Sequence, residues 1–95
     1  MAGLLSQEEI DRALSGELSA WTQEGNAIIR QVKAPTFLEG IALIVAVARV
    51  AEDADHHPDI DVRYRTLTFT LSTHAAGGLT AADLKLAREI DSFAG

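Results

Sequence analysis

Cysteine is absent from this 95-residue chain, which excludes a disulfide framework and thiolate chemistry and fits a reducing compartment. Basic residues are also few. Eight Lys and Arg stand against fourteen Asp and Glu, for a net charge of −6. A general nucleic-acid binder needs cations to replace phosphate counterions, so that class is set aside. Long apolar runs are missing too. The longest, Gly40 to Ala48, falls far short of the ~20 residues a membrane-spanning helix requires. The N-terminus, Met1-Ala2-Gly3-Leu4-Leu5, turns acidic by Glu8 and carries no basic leader region. These absences lead us to expect a cytoplasmic protein without nucleic-acid or membrane partners.

What is present is an ordinary globular composition, 47% apolar and 23% charged. A chain of this length forms one domain, residues 1–95, and buries roughly two-thirds of its unfolded surface. Ser6-x-x-Glu9 has the form of a capping box. It opens a short helix to about Leu14 that packs through Leu5, Ile10 and Leu14 and is ended by Ser15-Gly16. Trp21–Glu24 and Ala27–Lys33 flank Gly25-Asn26, a pair suited to a hairpin turn. Thr36-x-x-Glu39 is a second box, opening a helix to about Asp53 despite several β-branched residues. That helix is apolar around most of its circumference, so one side should cover a sheet and the other meet a second subunit.

Pro58 disfavours helix at His57, and strand patterning follows from Ile60. Ile60, Val62 and Tyr64 share one parity and Leu67, Phe69 and Leu71 the other, which predicts a tight turn or bulge near Arg65-Thr66 between two antiparallel strands, with one bent strand as the alternative. Gly77-Gly78 breaks the pattern, and Thr80-x-x-Asp83 caps a last helix. The expected class is α+β, in the order helix-strand-strand-helix-strand-strand-helix. Three helices pack on one face of a four-stranded antiparallel sheet.

All three histidines fall between Asp55 and His74. Imidazole both takes and gives a proton near neutral pH, so the cluster can deprotonate a nitrogen and protonate a leaving hydroxyl. His56 and His57 are neighbours on extended backbone, point in opposite directions and therefore take different tasks. A structural role at a helix end competes with this reading. So does a metal site built from His56 or His57 with His74 and Asp83, although adjacent histidines are poor co-ligands and no His-x-x-x-His pair occurs. Asp83 also has the simpler role of capping its helix. Arg63 and Arg65 read as a solvated strand face, with an anion site as the alternative, and Trp21 and Tyr64 as core or pocket wall.

Glu52-x-x-x-His56-His57-Pro58, Tyr64, Leu71-Ser72-Thr73-His74, Ala76-Gly77-Gly78-Leu79-Thr80 and Asp83, with Trp21 through Gly25 ahead of them, together resemble the signature of the pterin-4a-carbinolamine dehydratases. The resemblance runs from about Leu4 to Phe93. It implies an enzyme that removes water from 4a-hydroxytetrahydropterin to give quinonoid dihydropterin, within tetrahydrobiopterin recycling. No metal or organic cofactor would take part, and the pterin is the substrate. Carried over by position, His56, His57, His74 and Asp83 are the catalytic set, with His56 and His74 as the acid–base pair. Pro58, Thr73 and Tyr64 are the substrate-binding residues. Asp53 replaces a frequent lysine, Ile60 a frequent aromatic residue, and Ile41, Leu43 and Ile44 the usual phenylalanines. The resemblance also implies a homodimer or homotetramer. It admits a second reading, a non-catalytic interaction or assembly module on the same fold, which would not need three histidines.

Overall fold

The computed structural model describes residues 3–95. Met1 and Ala2, the start of the segment read for a leader, lie outside them. The elements are α1 (Gln7–Ser15), β1 (Thr22–Glu24), β2 (Ala27–Lys33), α2 (Phe37–Ala54), β3 (Asp59–Arg63), β4 (Thr66–Leu71), a 3-10 turn at His74–Ala76, and α3 (Ala81–Ala94). The strands form one antiparallel sheet in the order β1-β2-β4-β3. This is the expected architecture.

Each helix begins where a side chain satisfies an otherwise orphan amide, though the three caps differ. At α1 the box is complete: Ser6 Oγ accepts from Glu9 N–H and Glu9 Oε1 accepts from Ser6 N–H. These bonds hold the Glu9 carboxyl below the usual carboxylate range. At α2 only half forms. Thr36 Oγ1 accepts from Glu39 N–H, while the Glu39 carboxylate takes the Thr36 hydroxyl hydrogen instead of its backbone N–H. The α3 cap is complete and fully buried.

Register explains the parity switch. A two-residue turn, Tyr64-Arg65, joins Arg63 to its partner Thr66, one residue earlier than predicted. Val62 opposite Leu67 and Ile60 opposite Phe69 then share the helix-covered face. Tyr64 adopts φ 52° to make the turn and is 72% exposed, so it is neither core nor pocket wall. Arg65 is corrected as well. It is half-buried, donating from Nε to the Ala34 carbonyl at 2.8 Å, whereas Arg63 is solvated beside Asp61.

The core lies between that sheet face and the helices: Ile28, Leu67, Phe69 and Leu71 from the sheet, and Ile10, Val47, Leu86, Ala87 and Ile90 from the helices. The other sheet face carries Thr66, Thr68 and Thr70 opposite Lys33, Gln31 and Ile29. Helix α2 approaches closely because Gly40 has no Cβ. One built there would meet Ala34 Cβ at 3.3 Å and Leu67 Cδ2 at 3.5 Å. Trp21 is buried, and its indole N–H donates to Asp91, which also pairs with Arg30. The segment before α1 adds a contact that no periodicity announced. Leu5 N–H donates to the Leu79 carbonyl at 2.9 Å, and Leu4 bridges to Thr80.

Phe69 is fully buried at the centre of this core. Phe69→Ala is expected to cost about 3–5 kcal/mol, read as a lowered urea midpoint with an unchanged slope.

Candidate active site

Three segments converge on one buried carboxylate. The first is the end of α2. Asp55 takes the left-handed conformation (φ 50°, ψ 43°) as the cap, which short polar residues tolerate better than most. His56 N–H still donates to the Ala51 carbonyl at 3.1 Å, so His56 leaves the helix at a defined angle before Pro58 forces extended backbone. The second is the loop after β4. The Thr73 carbonyl accepts N–H groups from Ala76, Gly77 and Gly78, and Thr73 N–H donates to the Gly78 carbonyl. Gly77, at φ 76°, lets this tight loop close. The third is the first turn of α3, which carries Asp83.

Asp83 is wholly buried, and both its oxygens are engaged. Oδ2 accepts from Thr80 N–H at 2.9 Å and from Thr73 Oγ1 at 2.8 Å. Oδ1 lies 2.6 Å from His56 Nε2. An unpaired carboxylate in such a place would be very costly, and these contacts, with the positive end of α3, offset that cost. In the neutral ring the bond to Oδ1 places the hydrogen on Nε2 and leaves the Nδ1 lone pair to act as a base. In the charged ring Nδ1 is a donor. The same group can therefore take a proton and return it.

His57 behaves differently. It is exposed and meets Glu52 Oε1 at 2.7 Å in the solvated pair that closes the helix end. The neighbouring histidines thus have separate partners. His74 stands at the start of the 3-10 turn and lines a cleft of about 310 Å³ with Asn26, Ala27, Asp59, Thr70, Ser72 and Gly77. Its link to His56 runs through Thr73, its own neighbour.

The remaining sequence candidates scatter. Pro58 is half-buried just before β3. Thr73 spends its hydroxyl on Asp83. Tyr64 sits at the turn end of the β3–β4 hairpin, while His74 lies past the other end of a ladder four strand steps (~13 Å) long. Within one chain the structure does not bring Tyr64 to the histidines. Ile60 packs against the core and Asp53 lies on an exposed α2 groove. Among the described residues, no three His, Asp or Glu side chains gather closely enough to hold a metal ion.

The family described as pterin 4 alpha carbinolamine dehydratase matches residues 3–93. The chain belongs to this family. Relatives whose names assign them provisionally to pterin-4-alpha-carbinolamine dehydratase include one from Nocardia farcinica, 57% identical over 96% of this chain and 95% of the relative. Another, from Roseiflexus castenholzii, is 52% identical over 98% and 99%. Among solved structures, a transcriptional coactivator/pterin dehydratase from Brucella melitensis superposes with a TM-score of 0.91 at 33% identity, covering 96% of this chain and 98% of that one. A pterin dehydratase-like protein described as a RuBisCO assembly factor of the alpha-carboxysome shares the fold alone, at TM-score 0.65 and 20% identity over 79% and 87%. No helix among the described residues is long and apolar enough to cross a membrane.

Two acid–histidine pairs of similar length should therefore differ sharply in worth. Glu52→Gln is expected to change stability by less than about 0.5 kcal/mol, because the pair is solvated. Asp83→Asn puts an amide donor against existing donors and should cost about 1–3 kcal/mol. Chemical denaturation of both variants checks the contrast.

Proposed function

We propose that the protein catalyses dehydration of a 4a-hydroxytetrahydropterin to the quinonoid dihydropterin, in tetrahydrobiopterin recycling, without a metal or organic cofactor. The observation that carries this reading is His56, held through Nε2 by a buried carboxylate with its other ring nitrogen unengaged by any described residue. In the reaction the carbon–oxygen bond at the carbinol carbon breaks, and the adjacent ring nitrogen loses its proton to form a carbon–nitrogen double bond. The departing oxygen gains a proton and leaves as water. One group must take a proton and another must give one. His56 and His74 are assigned as that pair, with His57 positioning the substrate.

Assembly is part of the proposal. The outward side of α2 leaves Leu38 77% and Val45 46% exposed beside Phe37 at 49%, an apolar surface suited to a homodimer or homotetramer. Val45→Glu should lower the assembled mass measured by light scattering. An unchanged mass would remove this face from the interface.

The decisive assay follows absorbance of freshly generated 4a-hydroxytetrahydropterin over its spontaneous decay. Wild type should accelerate the decay, and His56→Ala and His74→Ala should each lose at least tenfold of that acceleration, the lower end for a positioned acid or base (~10²–10⁴) being reduced by solvent rescue. Full turnover in His74→Ala would sink the assigned pair. Background rate in a folded wild type would favour the non-catalytic interaction module.

A further inference from the structure

A chain of hydroxyls behind the buried carboxylate has a direction that hydrogen counting determines. Thr73 Oγ1 lies 2.8 Å from Asp83 Oδ2 and 2.8 Å from Thr80 Oγ1. A hydroxyl has one hydrogen. The carboxylate oxygen, which also accepts Thr80 N–H, has no hydrogen to give, so Thr73 donates to Oδ2. The bond between the two threonines must then be donated by Thr80. Thr80 Oγ1 is free to do so, because its contact with Ala82 N–H uses it only as acceptor. The sequence of donation is Thr80 to Thr73, Thr73 to Asp83, and His56 Nε2–H to Asp83 Oδ1. Thr80 is fully buried, so water does not substitute freely at this end.

We infer that Thr73 and Thr80 are positioning residues for the reaction proposed above, their ordered hydroxyls orienting Asp83 so that His56 keeps its hydrogen on Nε2 and its lone pair on Nδ1. This role differs from the substrate-binding one that the resemblance implies for Thr73. Its one hydroxyl hydrogen is committed inward. The inference rests on the dehydratase reading for its consequence in turnover but not for its geometry.

Thr73 also has a second hold on the site. Its carbonyl gathers three N–H groups of the loop that begins with His74. The same residue thus anchors the loop of one histidine by its backbone and the carboxylate of the other by its side chain. Thr73→Val keeps the shape and removes only the hydroxyl. Oδ2 then loses one of its two donors, and only Thr80 N–H is left to hold the carboxylate in plane against the pull of His56 on Oδ1.

The test is long-range proton–nitrogen NMR of the histidine rings in the whole protein, beside steady-state turnover of the carbinolamine. Wild type and Thr73→Ser should show His56 with its hydrogen on Nε2. Thr73→Val should show a mixture of tautomers, a roughly tenfold lower kcat with KM unchanged, the size expected for one lost hydrogen bond, and near-recovery in Thr73→Ser. A raised KM with an intact tautomer would return Thr73 to substrate binding and overturn the inference. So would a wild-type His56 with its hydrogen on Nδ1, a result that requires no variant to fold. If wild type shows no acceleration, the dehydratase reading fails by itself, while the ring spectra still decide the positioning.

Discussion

The structure depends on a single carboxylate being buried without being left alone. Asp83 is removed from water completely, and the free-energy penalty of that placement is relieved only if three separate segments arrive together. Thr80 must start α3, the Thr73 loop must close after β4, and α2 must stop where His56 can reach across. A chain that misplaced any one of them would leave an acceptor unfilled in the interior. The interaction that selects the fold here is therefore the one that prepares the histidine.

Much of this was legible in advance, for a physical reason. Caps, turns and strand parity are local, and Ser6-x-x-Glu9, Gly25-Asn26 and Thr80-x-x-Asp83 express them within a few residues. The clustering of His56, His57 and His74 was equally visible. Partnership was not. His57 has Glu52 one helical turn behind it, while His56 takes an acid 27 residues away. Only the crossing of α2 against α3 decides which is which. The same limit hid the clamp of Trp21 and Arg30 on Asp91, which lie 70 and 61 residues from it in sequence. Strand parity locates the turn to within one residue, and Tyr64 takes its first position with a positive φ that tyrosine rarely accepts. Arg65, whose carbonyl accepts from Ala34 N–H and whose Nε donates to the Ala34 carbonyl, holds it there.

Helix α2 reconciles two demands that its composition sets against each other. Its β-branched residues are poor helix formers, yet it runs eighteen residues. Packing rather than propensity sustains it. Gly40, Val47 and Ala51 are the buried positions, all small or medium, so the helix lies close to the sheet and to α3. Their spacing keeps the helix axis fixed, and that axis delivers its last turn to the site. The large side chains, Leu38 and Phe37, are left outside. A single chain thus uses the helix's thin side for precision and leaves its bulky side exposed.

The two candidate acid–base histidines are held in different ways, and the difference suits a reaction that needs both a taker and a giver of protons. His56 is half-buried and bonded on one nitrogen to a carboxylate that cannot move without breaking a helix cap. Its geometry is therefore defined before any substrate arrives. His74 has an exposed ring in an open cleft on a short turn, so it can adjust to the group it meets. Equal rigidity would serve less well. Two fixed groups demand that the substrate fit both at once, and two mobile groups would each need ordering in the transition state. In the proposed reaction, one fixed histidine and one adaptable one, joined through Thr73, would let the carbinolamine seat against the first and be completed by the second.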